Sequence, residues 1–214
     1  MDREKITKYL NAPPLSKTTD EGAFLPGICH VQLGNFSEAK RLFESAIVAM
    51  LQASRPFWKA SHPDWLVDVC VLADRDDLYA DVRQALDRFG LEKSTRSLLF
   101  LYSNSVMELL LPSGEGITRQ VQGLLKYPKI KMWHAVGLAL QAIDNRDSLT
   151  LNGMLEKVLQ AHEGQVKHGG LRETAEGLLC MPAMSLAYTA LKQDLRIELD
   201  NDYLPLGYLN HLRK

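Results

Sequence analysis

The chain has 214 residues, 46% of them hydrophobic and 24% charged, and its 25 basic and 26 acidic side chains leave a net charge of −1. That is enough apolar material for one sizeable helical domain, and the near-neutral balance excludes general attraction to nucleic acid or to an anionic membrane. Three widely spaced cysteines, Cys29, Cys70 and Cys180, each among apolar neighbours, read as buried thiols rather than as a disulfide framework or a zinc site.

The first fifteen residues are charged and lack the apolar core of a signal peptide. The longest apolar runs, such as Leu98 to Tyr102 and Leu109 to Leu111, are far short of a bilayer span. The expected location is the cytoplasm, with no membrane partner.

A short helix is expected from Glu4 to Leu10, ended by Pro13-Pro14, and a second from Ala23 to Leu33, stopped by Gly34. Asn35 with Glu38 three residues on forms a capping-box pattern for the next helix. That helix places Ala39, Leu42, Phe43, Ala46, Ile47 and Met50 on one face. The segment Gly34 to Ile47 resembles the second half of a tetratricopeptide repeat, with glycine in the interhelical turn. No copy recurs at a period of about 34 residues, so a regular array is not expected.

His62-Pro63-Asp64 opens a helix carrying Trp65, Leu66, Val69 and Leu72. The cluster Asp74-Arg75-Asp76-Asp77 makes a turn and an acidic helix start. Leu78, Val82, Ala85, Leu86 and Phe89 form the following stripe, with Gly90 as its expected stop. Ser94 is the expected cap of a helix through Leu98, Tyr102, Val106 and Leu110. Residues 112–116, PSGEG, are the plainest loop. A subdomain boundary would fall there, but five residues are also an ordinary interhelical connection, so residues 1–214 are read as a single domain. A short helix from Ile117 to Leu125 precedes a hairpin that starts near Pro128 and turns at Asp144-Asn145-Arg146-Asp147. Helices around Leu171 to Leu179 and Met184 to Asp194 complete the series. Only Leu195 to Leu199 alternates like a strand, and it is too short to seed a sheet. The fold expected is all-α, with antiparallel helical hairpins stacked in a tetratricopeptide-like, solenoid-like bundle.

Catalytic signatures are missing from the sequence: it holds no phosphate loop, no GxGxxG and no GxSxG elbow. His162-Glu163 and His168 fall six residues apart, where two helical side chains diverge, so metal binding is not expected; His162 reads as the closing residue of a helix. No cofactor is expected either. Two acidic groups stand out, Asp74/Asp76/Asp77 and the tail around Asp202. Such clusters are ordinarily solvated and favour the helix dipole, but they also suit a basic partner. The aromatic pair Phe57-Trp58 either anchors a partner or folds back over helix ends. Tyr203-Leu204-Pro205 likewise either docks the tail or presents it.

One resemblance sharpens this picture. The segment GLALQAIDNRDSLTLNGMLEKVLQAHEG, residues 137–164, offers Asp144, Arg146 and Asp147, then Leu155, Val158, Leu159, Ala161 and His162. The tail offers Asp202, Tyr203, Leu204 and Pro205. Together these resemble the immunity proteins of bacterial polymorphic toxin systems, in the family numbered 49. The chain departs from that pattern at Ile143, where glycine is usual, and at Leu206, where a basic residue is frequent. The resemblance covers about the last third of the chain and implies a protein that binds and neutralises a cognate toxin rather than an enzyme. On that reading Asp74, Asp76, Asp77, Phe57, Trp58, Asp202 and Tyr203 are the candidate partner-binding residues. Reversing charge at Asp74, Asp76 and Asp77 is then expected to weaken binding without unfolding. The alternative is a tetratricopeptide-like adaptor or secretion chaperone taking a peptide or helix in a groove. A helical enzyme is the third class, and it would be marked by a metal site or by a pocket lined with perturbed acids.

Overall fold

A computed structural model describes residues 3–11, 21–53, 62–92 and 97–214. Within them the chain is all-α, and the one β feature is an isolated bridge between Asn201 and Leu204. In chain order the helices are α1 (Arg3–Asn11), α2 (Glu21–Gln32), α3 (Phe36–Gln52), α4 (Pro63–Leu72), α5 (Tyr79–Glu92), α6 (Leu98–Leu110), α7 (Thr118–Leu125), α8 (Lys131–Asp144), α9 (Ser148–His168), α10 (Met181–Lys192) and α11 (Leu206–Leu212). Two 3-10 turns, Asp76–Leu78 and Ala175–Leu178, lie before α5 and α10.

The helical periods explain most of these elements. In α3, Ala39, Phe43, Ala46, Ile47 and Met50 are buried along one stripe, as an apolar face at three- and four-residue spacing requires. Gly34 closes α2 in the left-handed conformation at φ +77°, with Gly34 N–H bonded to the Val31 carbonyl and Asn35 N–H to the His30 carbonyl. The α2–α3 hairpin is tight: a Cβ on Gly27 would come within 2.9 Å of the Phe43 ring. Three further turns use the same left-handed geometry on non-glycine residues, at Asp74 (φ 54°), Arg146 (φ 56°) and Asp194 (φ 59°).

Solenoid-like stacking does not describe the assembly. In a solenoid each hairpin meets only its neighbours. Here α10 returns from late in the chain to pack on α4, and it also touches α6, α8, α9 and α11. Every residue of α4 except Trp65 is buried, and so is α10 from Ala183 to Leu191. These two form the axis of a core that runs as one cluster from Ile6 to Leu212. Tyr208 Oη of α11 donates to the Leu72 carbonyl at 2.6 Å and locks the chain's end onto the foot of α4.

Several local expectations are corrected. The Asn35 side chain makes no cap; it sits 3.3 Å from His30 Nδ1, while Glu38 pairs with Arg41 instead of reaching back. Gly90 does not stop α5, which runs on to Glu92. The helix expected across Leu171 to Leu179 is a single 3-10 turn, and α10 starts earlier than expected, with Pro182 in its first turn. His162 does not end α9; the helix continues to His168, and His162 is buried. Pro13-Pro14 and the Ser94 cap lie outside the described residues.

The alternation seen in Leu195 to Leu199 is real but serves no sheet. Leu195 and Ile197 face the core, and helix side chains take the place of a partner strand. Asn152 Nδ2 donates to the Arg196 carbonyl at 2.9 Å, Asn152 Oδ1 accepts from Glu198 N–H at 2.8 Å, and Ser148 Oγ accepts from Arg196 N–H at 3.2 Å. Backbone groups of an extended segment are thereby satisfied without a ladder.

Candidate functional site

The most distinctive chemistry lies on α4. Its sequence, PDWLVDVCVL, puts Asp64 and Asp68 four residues apart on one face, which also carries Val67 and Val71. Because α4 is enclosed on all sides, that face is not solvated. Asp64 is 7% exposed and Asp68 is 0% exposed. Tyr102 of α6, fully buried, donates its hydroxyl to Asp68 Oδ1 at 2.5 Å. Among the described residues, Asp64 Oδ1 and Asp68 Oδ2 have no hydrogen-bond partner. His62 Nδ1 stands 3.8 Å from Asp64 Oδ1.

Burial pushes the Asp68 carboxyl up to about 8; the charge of Asp64 adds to this, while the Tyr102 and Ser185 hydroxyls oppose it. Burial also raises Asp64, to about 7, against the backbone N–H groups of Asp64 and Trp65. Two desolvated acids one helical turn apart titrate as a pair, so near neutrality they hold protons that ordinary aspartates have lost. His62 moves the other way, lowered by burial with the Glu176 charge opposing.

Both acids lie at the wall of a cavity of about 460 Å³. Phe24 of α2, Trp65 of α4, Leu99 of α6 and Met132 and Trp133 of α8 supply apolar and aromatic surface. The segment from Gly170 to Pro182 and His162 of α9 complete the lining, to which no lysine or arginine among the described residues contributes. Trp65 anchors the aromatic side: its ring stacks on His62 with centroids 4.5 Å apart and meets Phe24 at 5.3 Å.

This site was not singled out from the sequence, which directed attention elsewhere. Asp74, at the left-handed turn after α4, accepts Tyr188 Oη at 2.7 Å and lies 3.2 Å from both Lys40 and Lys192. Burial works against its charge, but the Tyr188, Lys192 and Lys40 contacts outweigh it and hold the carboxyl below the usual range. Lys192 also meets both oxygens of Asp76 at 2.6 Å, and Arg75 pairs with Asp77 at 2.6 Å. The acidic cluster is therefore largely neutralised within the chain, and Asp74 ties α3, α4 and α10 together. Charge reversal at Asp74 would break these contacts as well as change the surface.

Asp202 and Tyr203 belong to a tail that docks on the body. Gln32 Nε2 at the end of α2 donates to the Asp202 carbonyl at 2.6 Å and to the Leu178 carbonyl at 2.7 Å. The Tyr203 carbonyl accepts from Cys180 N–H at 3.0 Å. The Tyr203 ring meets the His162 ring edge-on, with centroids 5.0 Å apart. Asn201 Oδ1 accepts from the N–H groups of Tyr203 and Leu204 and shapes the turn. Asp202 keeps an exposed side chain. Phe57 and Trp58 lie outside the described residues.

His162 Nε2 is 3.3 Å from the Gly177 carbonyl, and burial lowers the imidazole's pKa. No group of histidine, cysteine and carboxylate side chains among the described residues is arranged to hold a metal ion. The three cysteines are buried, and burial raises the Cys180 thiol to about 12. No helix among the described residues is long and apolar enough to cross a membrane. Comparison with family models, with curated proteins and with solved structures finds no match to this chain.

Proposed function

We propose that this protein is an immunity protein of the family-49 type, which binds a cognate bacterial toxin domain in the cytoplasm and neutralises it without catalysis. The supporting observation is that the two segments carrying the resemblance, far apart in sequence, pack as one unit. His162 of the hairpin meets Tyr203 of the tail. Arg146 of the hairpin turn donates to the Gln193 carbonyl at 2.8 Å, and Asn152 and Ser148 hold the backbone of residues 196–198. Asp147 caps α9, accepting Thr150 N–H at 3.0 Å. One contact, His162 with Tyr203, joins the two motif segments directly, and the others fasten the hairpin to the chain leading into the tail. Binding of a toxin would bury roughly 1,200–2,000 Å² around a few anchors.

Growth rescue tests the reading. The adjacent upstream reading frame is expressed in a laboratory bacterium with and without this chain. Killing that this chain relieves is expected. A neighbour that is harmless, or that kills equally in its presence, removes the proposal.

Two other readings each have one observation. The close α2–α3 hairpin, with Phe43 over Gly27, favours a tetratricopeptide-like adaptor, but it is a single hairpin in a core organised around α4 and α10. The perturbed acids of the cavity favour a helical enzyme. Asp64 and Asp68 come from one turn of one helix, and the neighbouring thiol of Cys180 is raised rather than activated.

A further inference from the structure

Asp64 and Asp68 are costly residues for a purely structural role. An unsatisfied buried carboxyl oxygen forfeits solvation that the core does not return. Among the described residues, each acid keeps one buried oxygen without a hydrogen bond, and both residues line a cavity to which no lysine or arginine contributes and which is faced with aromatic rings. A volume of about 460 Å³ falls within the range of small-molecule sites. Aromatic faces attract organic cations, and paired buried carboxylates select positive charge.

We propose that this cavity binds an organic cation, an ammonium or guanidinium group on an apolar body, with the charge at Asp64 and Asp68 and the body against the aromatic lining near Trp65 and Trp133. The inference is independent of the immunity reading. The cation takes the position now covered by the His62 imidazole, which stands 3.8 Å from Asp64 and stacks on Trp65. Entry therefore requires that stack to turn aside.

The other titratable groups facing the pair are His62 before α4, Tyr102 from α6, His162 from α9, Glu176 from the 3-10 turn and Cys180 before α10. None is a fixed cation, and both histidines have lowered pKa values. Protons held by the acid pair reduce the negative charge of the cavity at rest. An entering cation favours the ionised form, so binding releases protons and tightens as pH rises through neutrality.

The test is isothermal titration calorimetry with phenethylammonium chloride and its neutral analogue 2-phenylethanol, at about pH 6 and about pH 8.5. Buffers of differing ionisation enthalpy read the protons released. The expected result is a preference for the amine of about tenfold or more at the higher pH, with proton release, lost in D64N and D68N. These near-isosteric variants keep an acceptor for Tyr102, and thermal unfolding checks that each remains folded. A parallel arm uses the capped peptide acetyl-Gly-Lys-Gly-amide. Binding of the free amine assigns a small-molecule ligand. Binding of the peptide alone assigns a basic side chain of a docking protein. Equal affinity for amine and alcohol, unchanged affinity in the folded D64N/D68N double variant, or binding of neither cation overturns the proposal.

Discussion

The junction at Asp74 offers a sharp quantitative test. Its carboxylate accepts the Tyr188 hydroxyl at 2.7 Å and lies 3.2 Å from Lys40 and Lys192, at a backbone φ of 54°. Asparagine at this position, in the variant D74N, tolerates the left-handed conformation and keeps an acceptor for Tyr188, losing only the ionic attraction. With side-chain exposures of 22–30%, those two pairs contribute about 0.2–1 kcal/mol each, so D74N costs about 0.4–2 kcal/mol. D74A also loses the charge-assisted Tyr188 bond, about 1.5–3 kcal/mol, and adds left-handed strain of about 1 kcal/mol. Its total is about 3–6 kcal/mol. At about 2–4 °C per kcal/mol for a chain of this size, Tm falls by about 1–8 °C for D74N and about 6–24 °C for D74A. Thermal unfolding by circular dichroism reads both. The carboxyl is held below its ordinary value, so its contribution is present above about pH 4 and fades as pH falls further. The gap between wild type and D74N therefore closes in acid. If D74A matches D74N within about 0.5 kcal/mol, the account of Asp74 as a three-helix tie is wrong.

Other outcomes follow from the same contacts. Glu108 of α6 accepts from Ser113 Oγ and N–H, from Gly114 N–H and from Arg83 Nη1; burial opposes its charge, but these contacts hold its carboxyl down at about 2. Urea titration of E108Q is expected to show a loss of about 2–4 kcal/mol at neutral pH, and in wild type this contribution disappears between about pH 4.5 and about pH 2. D147A removes the α9 cap and lowers stability by about 1 kcal/mol. G27A pushes a methyl onto the buried Phe43 ring and is expected to cost about 1–3 kcal/mol. G153A, with open space around its Cβ position, gains about 0.5–1 kcal/mol; a loss at Gly153 would show that this face is covered. Finally, D77K alters an exposed acid whose partner is the adjacent Arg75, so it tests the acidic surface in a toxin-binding assay without the folding penalty of Asp74.

Local pattern carried the sequence reading a long way and then stopped where contacts became long-range. The stripe Ala39, Phe43, Ala46, Ile47 and Met50 and the turn at residues 144–147 were legible because helical periodicity and turn chemistry act over a few residues. Turns were legible at Asp74 and Arg146, but their left-handed backbone, like that at Asp194, was not, since no glycine marks it. The pairing of α4 with α10 was invisible, because nothing local specifies which distant helix covers an apolar one. In the sequence Asp64 reads only as part of a helix start, and Asp68 draws no attention. A signal was present: Val67 and Val71 share their face, so α4 has no polar stripe to offer water. An acid on a helix that is apolar all round is a buried acid.

The central position of α10 also bears on how the chain reaches its folded state during synthesis. The Tyr188–Asp74 bond spans 114 residues, and at ribosomal rates of 5–20 residues per second that separation corresponds to roughly 6–23 s of elongation. Through that interval α4 has left the ribosome without α10, one of the helices that bury it. Apolar surface left uncovered for that long favours association with other apolar surface. Slower translation of the last third would lengthen its exposure and lower the yield of native protein without altering a single residue.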